Sequence, residues 1–403
     1  MPLSGNRLLG ESSILSDSLI QLVRDWVSEG ALENEVSPPP DTDGDGVPDA
    51  DDAFPQDATE TVDTDSDGTG NNADSDDDND GISDGAENSV GLDPLDANDV
   101  TGSPREILWR NSVTGRNVLW SMESQHRVER NAINAVTDTD WVVQGLADFS
   151  GNGIDEIFFR HQVSGENRLW SIADGARSSS DAVRSAHKDW TIAAIGDFDA
   201  DGDADLIYRN SVTGMNRYWE MDGTSRISSL AVRTVSLDWS IAGTGDFDGD
   251  GSNDLLWRNT SGANIIWLMQ GETIASRGSL PTVGSTWEVA GIGDFDADGM
   301  DDVLWHNDST GANSIWLLNG TSRKSRGSIP TTGAGWQPFG VIEMDGDGMA
   351  DIFWRNNING TNRLWLMNGT VRTSSLAVTR VADLNWDPVA VGNTSTVEGV
   401  PSR

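Results

Sequence analysis

Short apolar runs separated by polar turns follow one another through residues 105–393, and their order recurs about every 49 residues. Glycine, asparagine and aspartate separate the runs, which predicts β-strands and turns rather than helices. Each unit opens at a tryptophan, and two later runs end in further aromatic residues. Four strands in a period of this length are typical of a β-propeller blade. The opening tryptophans are Trp141, Trp190, Trp239, Trp287, Trp336 and Trp386.

The two ends of the array predict a closed ring. The first unit begins at its second strand, near Glu106, and the last copy supplies an extra first strand from Asn385 to Gly392. That C-terminal strand would complete the first blade, and closure would remove the sheet edges that an open array exposes. The predicted fold is therefore all-β: a six-bladed β-propeller of four-stranded blades over residues 105–393, followed by a disordered tail over residues 394–403.

All but Trp26 of the 17 tryptophans occupy repeated positions, and two interpretations are open. Aromatic faces could bind sugars or cations, but the regular recurrence favours packing between blades. Two interpretations are also open for the arginines that follow the second aromatic position. They could form a ring of cations for an anionic ligand, or, as we favour, pair with a carboxylate of the neighbouring blade. These arginines are Arg110, Arg160, Arg209, Arg258 and Arg355.

Five acidic loops carry the candidate chemistry. Side-chain oxygens stand at loop positions one, three, five and nine with glycine at position six, as in the first part of an EF-hand loop. Two carboxylates about 4 Å apart repel by roughly 4 kcal/mol at an effective dielectric constant of about 20, so the loops need a cation to stay closed. The first loop carries less charge and should bind more weakly. The predicted ligands are Asp148, Ser150, Asn152 and Glu156; Asp197, Asp199, Asp201 and Asp205; Asp246, Asp248, Asp250 and Asp254; Asp294, Asp296, Asp298 and Asp302; and Glu343, Asp345, Asp347 and Asp351.

Ligand spacing, glycines and aromatic positions together give the phrase GDFDxDGxxDxxWRNxxTGxNxxWxMNG. This phrase resembles the FG-GAP or VCBS repeat of bacterial secreted proteins and integrin-type propellers, over about residues 105–392. In that family the acidic loop joins the innermost strand to the second strand and binds calcium. The resemblance therefore implies several Ca²⁺ ions as cofactors. Seven blades are common in the family, so six units depart from its usual number.

Residues 36–100 form a different region, in which residues 41–99 hold 21 acidic side chains and no lysine or arginine. Such a segment lacks a core and should be disordered unless a metal replaces that core. The spacing, with Phe54-Pro55 and the closing Gly91 to Pro94, resembles the thrombospondin type 3 repeat. That resemblance implies a stiff stalk coiled around calcium ions. The candidate ligands are Asp41, Asp43, Asp45, Asp49 and Asp52; Asp63, Asp65 and Asp67; and Asp76, Asp78, Asp80, Asp84 and Glu87.

Residues 1–35 contain one predicted amphipathic helix from Ser16 to Glu29, whose apolar face needs a partner. Together with Met1-Pro2, the stretch weakly resembles the C-terminal end of cytochrome c-type domains, where Met-Pro supplies an axial haem ligand. The CxxCH attachment motif is absent, and the chain has no cysteine. This chain therefore could not hold such a haem alone, and a start at an internal methionine of a longer protein would explain both observations.

Charge and location restrict the partners. An excess of 66 acidic over 26 basic residues opposes binding to nucleic acid or anionic lipid. Neither a signal peptide nor a membrane-spanning segment is visible, so no membrane insertion is predicted. Carboxylate-rich calcium loops nevertheless suit the calcium levels found outside the cytoplasm. We therefore expect an exported, extracellular or cell-surface protein whose signal peptide is not visible in this chain.

Three functional classes follow. The leading one is an adhesion or recognition module for a glycan or an extracellular protein, with no catalytic residues. The second is a calcium-dependent polysaccharide lyase or glycosidase, although no nucleophile motif, phosphate loop or zinc spacing occurs. His161 and His306 stand where other units carry asparagine or arginine, which favours structural roles. The third is a binding appendage of a larger cytochrome-type redox protein.

Overall fold

The computed structural model describes residues 17–28, 40–65, 68–74, 77, 84, 94–95, 105–173 and 175–392. The chain divides into two compact units, Met1–Asp77 and Asp78–Arg403. In the first unit, the predicted helix is present as α1, Asp17–Ser28. Its apolar residues Leu22, Trp26 and Val27 are exposed. Among the described residues, no helix is long and apolar enough to cross a membrane.

In the second unit, residues 105–173 and 175–392 form a six-bladed propeller, and each blade is a four-stranded antiparallel sheet, as predicted. Blades 1, 4 and 5 have four uninterrupted strands. Blade 1 consists of β1 Arg105–Asn111, β2 Asn117–Glu123, β3 His126–Ile133 and the C-terminal β30 Trp386–Gly392. Blade 4 consists of β16 Trp239–Gly245, β17 Asp254–Asn259, β18 Asn264–Gln270 and β19 Thr273–Leu280. Blade 5 consists of β20 Trp287–Gly293, β21 Asp302–Asn307, β22 Ala312–Asn319 and β23 Ser322–Ile329.

In blades 2, 3 and 6 the third and fourth strands are interrupted. The tip of the hairpin that these two strands form is therefore a separate two-stranded ribbon. Blade 2 consists of β4 Trp141–Ala147, β5 Glu156–His161, β6 Asn167–Trp170 and β9 Asp181–Val183, with the ribbon β7 Ile172–Ala173 and β8 Ala176–Arg177. Blade 3 consists of β10 Trp190–Gly196, β11 Asp205–Asn210, β12 Asn216–Trp219 and β15 Leu230–Val232, with the ribbon β13 Met221–Asp222 and β14 Ser225–Arg226. Blade 6 consists of β24 Trp336–Ile342, β25 Asp351–Asn356, β26 Asn362–Trp365 and β29 Leu376–Val378, with the ribbon β27 Met367–Asn368 and β28 Val371–Arg372.

The ring closes through the C-terminal strand, as the sequence predicted. Strand β30 pairs antiparallel with β1, from Glu106 opposite Gly392 to Asn111 opposite Trp386. The first and last parts of the propeller sequence are thereby joined in one sheet. The inner edge of blade 1 is paired in the same way as that of every other blade.

The core lies between blades. In one cluster Phe295, Leu304 and Ile315 of blade 5 pack with Ile352 and Trp354 of blade 6. Within a blade, the second and third aromatic residues contact each other, for example Trp305 and Trp316 with ring centroids 5.0 Å apart. The packing interpretation is therefore right for these two positions, which are buried. The opening tryptophans are only half-buried.

Four of the five repeated arginines are buried and Arg258 is half-buried, but their predicted pairing with carboxylates is wrong. Arg209 donates to the Gly214 and Val235 carbonyls, both at 3.0 Å, and to Asn216 Oδ1 at 3.0 Å. Its guanidinium also lies 5.1 Å from the ring centroid of Trp257 in the next blade. These arginines stand at the blade end opposite the acidic loops, so carbonyl and amide oxygens accept from their Nη1 and Nη2 groups instead.

The two histidines take over contacts that the repeat makes elsewhere with other side chains. His306 Nδ1 lies 2.6 Å from Asn313 Oδ1, the contact that arginine makes in other blades. His161 Nδ1 accepts from the Ser164 amide at 3.0 Å, as Asn111 Oδ1 accepts from Thr114 in blade 1. Both residues therefore hold turns of the propeller.

Candidate metal centres

Each acidic loop joins the first to the second strand of a blade, as expected. The loops follow β4, β10, β16, β20 and β24. Consecutive strands are antiparallel, so this connection leaves the same end of every blade. The five loops therefore share one face of the ring.

In blade 4 the loop from Asp246 to Asp254 curls around its own carboxylates. Asp246 Oδ1 accepts from the Gly249 amide at 2.7 Å, and its Oδ2 accepts from Gly251 at 2.8 Å. Gly251 has φ +89°, a left-handed conformation that favours glycine. Oxygens of Asp246, Asp248 and Asp250 lie within 4.8 Å of one another. The same holds for Asp197, Asp199 and Asp205, and for Asp294, Asp296 and Asp302.

The ninth position places a carboxylate in the core. Asp254 is fully buried, and its oxygens accept from the amides of Phe247 at 3.0 Å and Met269 at 2.8 Å. Burial raises the pKa of Asp254 to about 7, despite the opposing effect of these hydrogen bonds. Burial likewise raises the pKa of Asp205 and Asp302 to about 7 and that of Asp351 to about 9. A negative charge at this position needs a cation nearby, because burial disfavours the ionised form.

The loops differ in the side chains that contact their carboxylates. In blade 3 the Tyr218 hydroxyl lies 2.7 Å from both Asp199 Oδ2 and Asp205 Oδ2. In blade 5 the Lys324 ammonium lies 2.9 Å from Asp296 and 2.8 Å from Asp298.

In blade 2 Ser150 donates to Glu156 Oε1 at 2.9 Å. In blade 6 Arg105 lies 3.5 Å from Glu343. Burial also raises the pKa of Asp345 in this loop to about 7.

Sequence reasoning missed that the loops are linked from blade to blade. The carbonyl of position one accepts from the amide of position eight in the next loop. The contacts are Asp148 with Ala204 at 2.6 Å, Asp197 with Asn253 at 2.5 Å, Asp246 with Asp301 at 2.6 Å, and Asp294 with Ala350 at 2.7 Å. The carbonyl of position two accepts from a glycine in the next blade's outer hairpin, as Phe247 does from Gly320 at 2.7 Å. No side-chain pattern encodes these bonds, because both partners are backbone groups.

In the acidic segment of the first unit, residues 40–65 and 68–74 form turns and bends. Oxygens of Asp41, Asp43 and Asp45 lie within 4.8 Å of one another. The buried oxygens Asp43 Oδ2, Asp45 Oδ2 and Asp63 Oδ1 have no hydrogen-bond partner. A second turn repeats the first at an offset of 22 residues: Thr42 donates to Asp49 at 2.7 Å, and Thr64 donates to Asn71 at 3.1 Å.

That offset identifies Asn71 as a candidate ligand that the aspartate pattern did not include. Asp52 is buried and accepts from the Phe54 amide at 2.8 Å. The predicted ligands Asp67, Asp76, Asp78, Asp80 and Glu87 lie outside the described residues, and the thrombospondin-like stalk remains a prediction.

A separate cluster of Asp138, Asp140 and His161 also brings three possible ligand atoms within 4.8 Å. Because His161 Nδ1 accepts from the Ser164 amide, its proton lies on Nε2, which faces Asp138 Oδ2 at 3.2 Å. This histidine therefore presents an N–H group to the carboxylate and no free lone pair to a metal.

The loop residues fit a hard divalent cation. Their donors are carboxylate oxygens, which Ca²⁺ prefers, and the buried Asp296 Oδ1 has no hydrogen-bond partner. Positions one, three, five and nine would hold the ion, and the ion would supply charge neutralisation to the buried ninth carboxylate.

The chain is similar to solved structures at low sequence identity. No curated protein sequence matches the chain significantly. Among solved structures, a nidogen/laminin complex aligns with TM-score 0.47 and 13% identity, covering 72% of this chain and 100% of that chain. A functionally unknown protein from Desulfotomaculum acetoxidans DSM 771 aligns with TM-score 0.42 and 13% identity, covering 72% and 83%.

The FG-GAP-like repeat family matches residues 246–305 and 294–354. These segments run from the acidic loop of one blade to the second strand of the next. They contain the loops of blades 4, 5 and 6 and the aromatic residues that follow them. The chain therefore carries FG-GAP-like repeats over residues 246–354, within a six-bladed propeller of four-stranded antiparallel blades.

Proposed function

We propose that this chain is an exported calcium-binding module that recognises a glycan or a protein at a cell surface or in a matrix. The observation that carries the proposal is the linked row of five acidic loops on one face of the ring. Calcium bound there would neutralise the buried carboxylates and brace each blade against the next. The opposite face and the outer strands would then be free to bind a partner.

The location follows from the chemistry of the loops. Sites built from exposed carboxylates bind calcium in the micromolar to millimolar range, and the weaker end of that range is saturated only outside the cytoplasm. FG-GAP-like repeats are also typical of extracellular proteins, which supports export. Fractionation of the native cells tests this: the chain should be found in the medium or at the cell surface, and recovery from the cytosol alone would contradict it.

The metal part is tested by calorimetric titration of calcium into chelator-treated protein, with melting followed by circular dichroism. We expect several bound ions and a higher melting temperature in calcium. The double variant Asp246→Asn and Asp248→Asn should bind one ion fewer, whereas Glu272→Gln, an exposed acid of the same blade, should bind as many ions as the wild type. An unchanged melt without bound ions would refute the metal part.

The recognition part is tested separately by biolayer interferometry. Immobilised neutral and acidic polysaccharides and matrix proteins would be probed with the full chain in calcium and in chelator. Calcium-dependent binding to at least one surface is expected. Absence of binding to every surface in the presence of bound calcium would refute recognition and leave the metal part intact.

A further inference from the structure

Three blades carry pockets at equivalent places, away from the acidic loops. The blade 5 pocket has a volume of about 540 Å³ and is lined by Trp287, Trp305, Trp316, Arg323 and Arg326. The blade 6 pocket, about 280 Å³, includes Trp336, Trp354, Trp365, Arg363 and Arg372. The blade 2 pocket, about 310 Å³, includes Trp141, Phe159, Trp170, Arg168 and Arg177. Two of these volumes reach the usual range for small-ligand sites and the third lies just below it.

One side of each pocket is lined by the connection between the preceding blade and the pocket's own blade, at residues 281–284, 331–333 and 135–138. This connection leads from a fourth strand to the next first strand. Because consecutive strands are antiparallel, it lies at the opposite end of the blade from the acidic loop. The connections that bound the pockets therefore lie away from the acidic loops, and the blade 2 pocket includes one carboxylate, Asp138.

Two stacked guanidinium groups recur beside the tryptophans of blades 2, 3 and 6, and one, Arg323 over Trp316 at 4.4 Å, lies in blade 5. The outer arginine lies over the third aromatic ring, as Arg372 does over Trp365 at 4.7 Å and Arg177 over Trp170 at 4.6 Å. The second arginine lies over the opening tryptophan, as Arg363 does over Trp336 at 5.9 Å. Blade 3 has the same pairs, Arg226 over Trp219 at 4.6 Å and Arg217 over Trp190 at 6.0 Å.

These arginines lack acidic partners although the chain is strongly acidic. Within residues 105–173 and 175–392, none of Arg168, Arg177, Arg217, Arg226, Arg323, Arg326, Arg363 and Arg372 forms an ion pair. The buried atoms Arg226 Nε and Ser228 Oγ have no hydrogen-bond partner. Burial lowers the pKa of Arg226, and the positive charges of Arg184 and Arg217 lower it further. A cluster of cations held together without an anion is a site that an anionic group would stabilise.

We propose that these pockets bind acidic sugar residues, meaning pyranose rings that carry a carboxylate or a sulfate group. The proposal rests on the proposed recognition function and narrows it to acidic polysaccharides. The guanidinium groups would hold the anion through paired N–H donors. Indole rings would contact the C–H face of the sugar, and hydroxyls such as Ser375, which lies 3.1 Å from Arg363, would bond its hydroxyl groups.

The repetition favours a polymer with regularly spaced acidic units. Equivalent pockets around a ring would bind several units of one chain, and linked weak sites gain affinity without new contacts. Single-stranded nucleic acid is the competing anionic polymer. It binds by stacking bases on open aromatic faces along a continuous groove. Here guanidinium groups cover the rings and the blades separate the pockets, so the observations favour the sugar.

The test uses the full chain with calcium bound and calorimetric titration of short oligosaccharides. The probes are an oligogalacturonate, a sulfated heparin-type oligosaccharide, a neutral malto-oligosaccharide of equal length, and single-stranded oligothymidylate. We expect at least one acidic oligosaccharide to bind about tenfold or more tightly than the neutral one. Comparison of the uronate with the sulfated probe decides which anion the pockets prefer.

The variant Arg168→Gln, Arg323→Gln and Arg363→Gln removes one stacked arginine from each of the pockets of blades 2, 5 and 6. It should lose about tenfold or more of the affinity for the acidic probe. The control variant Arg116→Gln, Arg233→Gln and Arg380→Gln changes the net charge equally at exposed positions. It should lose less than about threefold, an effect expected from altered long-range attraction alone. A circular dichroism melt of both variants checks that the fold is intact.

Equal losses in the two triple variants would overturn the proposal, because diffuse charge would then explain binding. Equal binding of the neutral oligosaccharide, or equal competition by oligothymidylate, would also overturn it. If the chain binds a neutral glycan or a protein and the pocket variant binds equally well, the acidic-sugar assignment fails while the recognition function stands. If a folded, calcium-loaded chain binds nothing, both fail.

Discussion

At the scale of single residues, the five acidic loops share a backbone pattern but differ in how charge is balanced. Lys324 reaches back from β23 and places an ammonium between Asp296 and Asp298. These two hydrogen bonds, first that of Asp298, raise the pKa of Lys324. The other described loops have no lysine contact of this kind. The loop of blade 5 therefore carries its own cation, which competes with calcium for the same carboxylates.

Replacement of this lysine by an uncharged side chain should strengthen calcium binding in blade 5. For Lys324→Met we expect the dissociation constant of that loop to fall about tenfold, because a like charge is removed from the site. The metal-free variant should melt at a lower temperature than the wild type, so its gain from calcium should be larger. Calorimetric titration and circular dichroism melts measure both effects.

Lys188→Met is the matched control, because Lys188 is the only other lysine and lies 3.9 Å from Asp189, outside the loops. Its calcium titration should match that of the wild type. Identical titrations for Lys324→Met and the wild type would mean that the ammonium leaves the carboxylates when calcium arrives.

At the scale of elements, the turn between the second and third strands fixes each blade's connection to the next. In blade 3 Gly214 has φ +71°, and an added Cβ would lie 2.1 Å from the Val235 carbonyl oxygen. The amide of Val235 donates to the Gly214 carbonyl at 3.0 Å. All six blades repeat this close approach, at Gly115, Gly165, Gly214, Gly262, Gly311 and Gly360. A side chain there must move the backbone of the connection.

Gly214→Ala should therefore lower the free energy of unfolding by at least about 3 kcal/mol, through left-handed strain and a clash with a backbone atom. Gly223→Ala, in the outer hairpin of the same blade, is the control. Its φ is +54°, but an added Cβ would meet no atom within 4 Å. It should cost only about 1–2 kcal/mol. Urea unfolding of both variants measures the difference, and equal losses would show that the close approach can relax.

At the scale of the whole molecule, ring closure and the linked loops make the propeller one unit. The loop-to-loop hydrogen bonds run from blade 2 to blade 6, and β30 joins the last copy to the first. Removal of residues 386–403 would leave β1 as an open inner edge and would remove Trp386 and Val391, which pack between blades 1 and 6. We expect that truncated chain to aggregate or to melt broadly.

The matched truncation removes only residues 393–403 and keeps β30. It should melt as cooperatively as the full chain by circular dichroism. A cooperative, monomeric melt of the shorter chain would contradict a stabilising role for closure.

The buried ninth carboxylates give the metal-free propeller a pH dependence. The ordinary pKa of aspartate is near 4, whereas burial raises that of Asp205, Asp254 and Asp302 to about 7. Between these values the folded state holds more protons than the unfolded state. Stability in chelator should therefore fall as pH rises from about 4 to about 7, and the gain from added calcium should grow over the same range.

Melting temperatures in chelator and in calcium across this range measure the effect. Asp254→Asn removes one titrating group, so its stability should depend on pH less steeply than that of the wild type, whatever its absolute stability. Glu272→Gln should keep the wild-type slope. Metal-free stability that rises with pH over this range would contradict the raised pKa values.

Much of the fold could be predicted because the same pattern of strands and turns recurs in six units. The strand pattern, the first unit that begins at its second strand near Arg105, and the extra first strand at Trp386 together predicted the blade number and the closure. Four features could not be predicted: the interrupted outer strands of blades 2, 3 and 6, the carbonyl partners of the buried arginines, the loop-to-loop hydrogen bonds and the stacked arginine pockets. Each depends on groups that are far apart in the chain or on backbone atoms that side-chain patterns do not encode.

The sequence by itself determined the six-bladed ring, the position of the five acidic loops between first and second strands, and the order of the carboxylates within each loop. Periodicity and ligand spacing are local properties, so they can be read directly from the order of residues. Only the tertiary structure decided which carboxylates are buried, that Lys324 enters one loop, and that arginines without acidic partners gather beside the tryptophans. Burial and charge pairing arise when distant strands meet, and they depend on distances in space that the order of residues does not contain.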